Sequence, residues 1–468
     1  MNAPAAVRAQ PVPSPQEIDD FLMRCAIASA EPAQGEPLAA TVDRLRRLGL
    51  PPGSVVLLAL PNGLQLVRLF FAAGLAGLVP VLLAPSTPAP RIRELARRLG
   101  AAAVAGLPGR VRAAAGADLS TVDLGGAALA RLGGHELIRH GPGQVILLTS
   151  GTSGASTGCL HDLSALLLNA RRHADAIGLT ADDTVLVTLP VYYSFALVAQ
   201  VLACLVTGAA LVLSGPPFTV PEYRGHLVRR RVTVSSLTPL LADQLLAAGG
   251  TLPGQLRVLT VGGQALPPDR TGRLLTANPG LELYLTYGLT EAGPRVSTLA
   301  AHREPAHRHA SAGRPLDGVE ITLRDAGRGP EEQEVLVTSA TVCRRRVGVP
   351  PLGTRPRAGL VAPLTVATGD LGHVRDGYLY LRGRISDFAV VRGEKVSLAS
   401  VRELAVSLPG VLSAAARVED DTVAVDLFVD EHGPAEPELR RTLMALLAPH
   451  ERPGRLRLHR TERGGVHK

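Results

Sequence analysis

Tryptophan is absent from this 468-residue chain and aromatic residues make up only 3% of it, so any core must be built from Ala, Leu, Val and Gly rather than from rings. Without aromatic platforms for base stacking, and without a nucleic-acid-binding motif, nucleic acid is a poor choice of partner. Lysine is nearly missing too. Lys395 and Lys468 are two of 49 basic residues, which leaves 47 arginines. That skew suggests nucleotide-composition bias in the gene, and such drift turns Lys into Arg. The four cysteines, Cys25, Cys159, Cys204 and Cys343, stand singly with no CxxC or Cys/His spacing, so neither a zinc site nor a disulfide framework is indicated, and a reducing cytoplasm fits. No unbroken apolar run of membrane-span length exists either. The N-terminus carries four prolines and a Glu-Ile-Asp-Asp run where a signal peptide needs an apolar core, so no export is implied. The apolar stretches 69–85 and 194–214 are interrupted by Gly77 and Pro80 and by Gly208, which predicts buried helix, turn and strand rather than a membrane span.

What is present is apolar: 46% of the residues, which excludes disorder as the main state, over a length that suggests roughly two to four folding units. The first half repeats a helix ending in Gly followed by a Val/Leu-rich strand, at 41–61, 69–85 and 197–215. That alternation predicts α/β architecture with largely parallel sheets buried on both faces. After about residue 300 come Arg/Pro/Gly-rich loops and short alternating strands at 319–325 and 334–342, a β-rich subdomain. A last segment from about Phe388 predicts a strand, a helix at 398–408, a strand at 422–430 and a helix at 437–448, a small α+β module. Most of the net charge of +8 lies at the end: residues 439–468 hold seven Arg and one Lys against Glu451 and Glu462. A basic surface there suits an acidic partner.

The sharpest local pattern is VILLTSGTSGASTGCL, 145–160, a buried strand running into small residues. Glycines at 151, 154 and 158 free the backbone to turn N–H groups inward. Hydroxyls of Thr149, Ser150, Thr152, Ser153, Ser156 and Thr157 add donors, which together suit a phosphate. The Walker pattern GxxxxGK[ST] is absent.

This loop resembles the phosphate loop of the adenylate-forming superfamily, which includes acyl-CoA synthetases, nonribosomal peptide synthetase adenylation domains and luciferases. Further matches follow in the family's order: LPVYYSFALV (189–198), LRVLTVGGQALP (256–267), YGLTEAG (287–293), GRPLDGVEI (313–321), TGDLGHVRDGYLYLRGRISD (368–387) and VRGEKV (391–396). The resemblance implies a large N-terminal domain over 1–383, a hinge at 384–387 and a small mobile C-terminal domain over 388–468. It implies nucleotide binding by Thr149, Ser150, Gly151, Thr152, Ser153, Gly154, Gly263, Tyr287, Thr290, Asp370 and Arg384. Glu291 would hold Mg²⁺, Tyr192, Tyr193, Phe195 and Gly288 would shape an acyl pocket, and Gly393 would line a pantetheine tunnel. Ser386 stands where the hinge Asp is usual.

Two lysines of the family's pattern are missing: Thr157 takes the place of the phosphate-loop lysine, and Gly465 that of the C-terminal catalytic lysine, with Lys468 three residues beyond. Drift would have left Arg, and both replacements abolish the charge. Since the lost cations serve adenylation, the expectation is an acyltransferase working without ATP. It would move an acyl or aroyl group from acyl-CoA to the phosphopantetheine of an acidic acyl carrier protein. In kind this is similar to an anthraniloyl-CoA:carrier-protein anthraniloyltransferase of antibiotic biosynthesis. No cofactor would be required, no membrane engaged, and the location would be cytoplasmic. Retained AMP could mediate the transfer, or Cys159, two residues before His161, could form an acyl-enzyme, with Cys204 the second candidate. The alternatives are an ATP-dependent acyl/aryl-CoA or carrier-protein ligase that uses Mg²⁺, and a non-catalytic carrier-protein-binding relative.

Overall fold

The computed structural model describes residues 10–28, 36–116, 121–149, 157–326, 329–330, 332–348, 359–385, 388–391, 394–420, 422–431, 433–447 and 451–461. The chain divides into two compact units, one of residues 1–322, 336–368 and 374–380, the other of residues 323–335, 369–373 and 381–468.

Two eight-stranded sheets form the body of the first unit. One runs in the order Cys25–Ile27, Ala210–Leu213, Thr184–Val187, Val234–Leu237, Val258–Gly262, Glu282–Gly288, Arg295–Ala300, Arg314–Pro315. Its first six strands are parallel and its last two antiparallel. The other runs Arg345–Val347, Gly158–Asp162, Gln144–Leu148, Val79–Leu82, Val55–Ala59, Ala101–Gly106, Ala128–Arg131, Val122–Asp123, parallel in the centre and antiparallel towards both edges. Mainly parallel sheets were expected, and the antiparallel edges are the finer detail. Strands such as Val55–Ala59 and Val258–Gly262 are buried throughout, which is why they read as continuous apolar runs rather than as alternation.

Helix Leu163–Ile177 follows directly from strand Gly158–Asp162. Leu166, Leu167, Ala170, Ala174 and Ile177 recur at helical spacing and are buried, and Gly178, at φ 63°, ends the helix in the left-handed conformation that glycine tolerates. Its apolar face joins the inner faces of both sheets, helix Leu64–Leu75 and the π-helical turn Leu197–Leu202 in the largest cluster of buried apolar side chains. The stretches 69–85 and 194–214 are helix, turn and buried strand as expected. No helix among the described residues is long and apolar enough to cross a membrane. All four cysteines are free and buried.

In the second unit, helices Leu398–Val406 and Glu436–Leu446 cover a three-stranded sheet of Val411–Glu419, Thr422–Asp430 and Pro453–Thr461. The last strand hides in the basic tail because arginines alternate with Leu456 and Leu458, which pack on the core side. Its arginines are engaged locally. Arg455 pairs with Glu419 and Asp420 at 3.4 and 3.2 Å, Arg457 with Glu419 at 3.3 Å, and Arg460 donates to the carbonyls of Glu431 and Gly433. Much less of the net charge of +6 over residues 439–468 (8 − 2) is therefore uncompensated than the count suggests.

Candidate functional site

Strands Val258–Gly262 and Glu282–Gly288 end side by side, and the motif residues follow at their carboxyl ends, where open α/β sheets hold ligands. Gly263 lies in the turn after the first, and Thr290 and Glu291 in a single 3-10 turn after the second. Gly288 is demanded by contact: a Cβ there would stand 1.9 Å from the carbonyl oxygen of Pro294. Tyr287, beside it, is half-buried. The Thr290 hydroxyl lies 3.0 Å from that of Ser194, which connects the YGLTEAG turn to the LPVYYSFALV segment.

The phosphate-loop hairpin is built by Gln144–Leu148 and its antiparallel partner Gly158–Asp162. Ser150, Gly151, Thr152, Ser153 and Gly154 lie outside the described residues, but the neck of the loop does not. There the Thr149 N–H donates to the Thr157 carbonyl at 2.9 Å, and the two hydroxyls are 3.0 Å apart.

A third strand completes this neck. Arg345–Val347 pairs antiparallel with Gly158–Asp162 and sets Arg346 opposite Cys159. Arg346 donates from Nη2 to the Thr157 hydroxyl at 2.7 Å, and its Nη1 lies 3.7 Å from Glu291 Oε1. Both side chains are largely buried, 15% and 9% exposed, so their charges act with little screening. Backbone bonds fix the arrangement: Cys343 N–H to the Glu291 carbonyl and Arg344 N–H to the Leu160 carbonyl, each at 2.8 Å. A guanidinium thus stands at Thr157, the position that the resemblance gives to the absent lysine.

The expected thiol chemistry finds less support in the geometry. Cys159 is wholly buried, and a hydrogen bond with the Cys343 thiol, reinforced by burial, holds its pKa well above the ordinary value. Cys204 is likewise pushed well up by burial. His161, on the same face of the strand, gives its Nε2 to the Thr290 carbonyl at 2.9 Å, and burial lowers its pKa to about 4. No hydrogen bond joins Cys159 to His161 among the described residues, so no thiolate–imidazole couple is formed.

Around the proposed acyl pocket, Tyr192 and Tyr193 pack with ring centroids 4.7 Å apart, and burial raises Tyr192 to about 12. Phe195, half-buried, covers the guanidinium of Arg295 at 3.8 Å. Arg295 is a residue that sequence reasoning passed over although it stands only two residues after YGLTEAG. Asn169 fixes its backbone from both sides, accepting from the Arg295 N–H at 2.9 Å and donating to its carbonyl at 2.8 Å. Arg346 was missed because an Arg-Arg-Arg run reads as solvated surface.

In the second unit Asp370 is buried, and its carboxylate accepts from Arg384 Nε at 2.6 Å. Ser386, Gly393, Gly465 and Lys468 lie outside the described residues.

The AMP-binding enzyme family model matches residues 39–344. A 2-succinylbenzoate–CoA ligase of Bacillus pumilus (strain SAFR-032) is 28% identical over 316 residues, 66% of this chain and 63% of that protein. The chain spans less than two thirds of the length of this and other leading ligase relatives. The salicyl-AMP ligase / salicyl-S-ArCP synthetase of Mycobacterium tuberculosis (strain ATCC 25618 / H37Rv) is 28% identical over 446 residues, 84% of this chain and 76% of its own. Among solved structures, the O-succinylbenzoate coenzyme A synthetase of Bacillus subtilis in complex with AMP superposes with a TM-score of 0.78 at 22% identity, covering 95% of this chain and 93% of that one. The same synthetase solved with ATP and magnesium ion gives 0.75 at 23%, over 90% of each chain. These likenesses are of fold.

The matches overturn the expectation of an ATP-independent acyltransferase, because the relatives carry the names of acid–CoA ligases. The expectation that no cofactor is required falls with it, since the matching family binds AMP and its fold is solved with AMP and with ATP and magnesium. A missing lysine is not by itself a missing cation, since Arg346 brings a guanidinium to Thr157 from another strand.

Proposed function

The chain belongs to the AMP-binding enzyme family, and from that premise we propose that it is an ATP-dependent acid–thiol ligase. A carboxylate oxygen of the acid attacks the α-phosphorus of ATP, and the bond to pyrophosphate breaks. The thiol sulfur of CoA then attacks the acyl carbon of the adenylate, its proton leaves to solvent, and AMP departs with the electrons of the broken acyl–oxygen bond.

The observation that carries this reading is the Arg346 guanidinium at Thr157 and Glu291. Adenylation builds negative charge on phosphate oxygens, and a buried, strand-fixed cation stabilises that charge without having to reorganise. Glu291 fits magnesium, which commonly takes one or two carboxylates and completes its shell with phosphate oxygens and water. When bound, the ion neutralises phosphate charge. Thr290 would hold the α-phosphate. The buried free cysteines fit a reducing cytoplasm.

Acid-dependent exchange of pyrophosphate into ATP, followed by mass analysis of the CoA product, tests the proposal. Absence of exchange with aliphatic, aromatic and dicarboxylic acids alike would overturn it. A carrier-protein thiol as acceptor is the second reading, favoured by the salicyl-S-ArCP synthetase matching over 84% of this chain. Offering CoA and a holo carrier protein in separate reactions decides between the acceptors.

A further inference from the structure

Arg295 is 3% exposed and has no ion-pair partner among the described residues, an expensive condition for a cation. Burial lowers its pKa to about 9, which still leaves it charged at neutral pH. One corner of the guanidinium is satisfied: Nη1 donates to the Thr286 hydroxyl at 2.7 Å. The sheet makes room for it there because residue 262 is glycine, where a Cβ would stand 3.2 Å from that Nη1. The face is covered by Phe195 at 3.8 Å. The remaining edge, Nε and Nη2, is buried and has no hydrogen-bond partner among the described residues. This edge is the side-on fork that receives both oxygens of a carboxylate.

Among the described residues the surroundings supply no competing anion. His173, one helical turn beyond Asn169, is fully buried with both ring nitrogens unpartnered among the described residues, and burial together with Arg295 keeps it neutral. The position within the site is also specific. Arg295 lies opposite Gly288, and its side chain runs back along the sheet to Thr286, away from Thr290 and Glu291. Two strand residues span roughly 7 Å, so a group on Arg295 would sit about that far or more from the reacting carboxyl.

We propose that Arg295 is the anion-binding end of the acyl pocket and that the substrate carries a second acidic group, a carboxylate or sulfonate, at its far end. The inference rests on the ligase reading and on Phe195 lining the acyl pocket. The acid pairs with the Nε/Nη2 edge while Phe195 stays on the face, and the half-buried ring is the wall past which the acid must enter. His173 can add a hydrogen bond to the same group.

The test uses the full chain and a ladder of straight-chain diacids from succinate to suberate, with terephthalate, each against its monomethyl ester. Binding is measured by calorimetry and by thermal shift, and turnover separately by pyrophosphate exchange. At least one diacid should bind about tenfold or more tighter than its ester, and Arg295→Met, which keeps volume and removes charge, should abolish that preference. The variant should melt no lower than the parent, because losing an unpaired buried charge relieves a cost. Arg295→Lys, a point charge without the fork, should recover part of the preference. Equal or absent binding of every diacid and ester would overturn the proposal, as would a preference that survives in Arg295→Met. Pyrophosphate exchange that fails with every acid while the Arg295-dependent preference stands would overturn the ligase reading alone.

Discussion

Arg346 and Thr157, 189 residues apart in sequence, meet at 2.7 Å through a guanidinium and a hydroxyl at the neck of the phosphate loop. If the charge lost at position 157 is supplied by residue 346, the two positions should trade. Arg346→Met should lower pyrophosphate exchange about 10²- to 10³-fold, the usual effect of losing one preorganised charge-stabilising group. It also leaves Glu291 buried beside an apolar side chain, so some stability should be lost. Thr157→Lys in the Arg346→Met background should restore a substantial part of both. Exchange that is unchanged in Arg346→Met, with the melting temperature followed alongside, would remove this arginine from the chemistry.

Gly465 occupies the position at which the family resemblance places a catalytic lysine. If that cation is absent, adenylation should be the slower half-reaction and thioester formation should be unimpaired. A preformed acyl-adenylate should then be converted to acyl-CoA faster than acid plus ATP. Gly465→Lys should raise the exchange rate and leave conversion of the preformed adenylate unchanged. Comparison of single-turnover rates for the two half-reactions checks both statements.

The frame of the protein was legible because buried parallel strands leave an unmistakable mark: Val55–Ala59 and Val258–Gly262 are apolar throughout, and glycines such as Gly178 punctuate the helices. The positions of Thr290 and Glu291 followed from an ordered motif set. Arg346 and Arg295 did not, because their meaning comes from pairings that sequence spacing does not encode. Arg346 matters through a strand register against Cys159, and Arg295 through Asn169, Phe195 and Gly262, two strands away in the sheet. In a chain with 47 arginines, an arginine carries little information until its burial is known. The strand Pro453–Thr461 was lost for the same reason, its Leu456 and Leu458 hidden between basic residues.

Cys159 is expected to be inert. Its thiol is enclosed, hydrogen-bonded with Cys343 and held protonated, whereas a reactive cysteine needs an accessible thiolate. Alkylation by iodoacetamide at pH 8 should be slow until the protein unfolds. Cys159→Ala should keep its turnover while losing about 1 kcal/mol of stability, as expected for a small buried apolar group. A covalent acyl adduct on Cys159, detected by mass spectrometry after incubation with acyl-CoA, would contradict this.

His161 makes stability depend on pH in a direction that can be worked out. Burial lowers its pKa from the ordinary 6.5 to about 4 in the folded protein, so between those values the unfolded chain binds a proton that the folded one does not. Unfolding is therefore favoured as pH falls, and the contribution present in full above 6.5 is lost progressively down to about 4. A shift of this size corresponds to about 3 kcal/mol. His173, also buried and neutral, adds to the loss in the same direction. Urea midpoints measured from pH 7.5 to pH 4 should fall steadily across this window. His161→Gln keeps an amide able to reach the Thr290 carbonyl but has no proton to gain, so it should flatten the profile. An unchanged slope in that variant would assign the acid sensitivity to other groups.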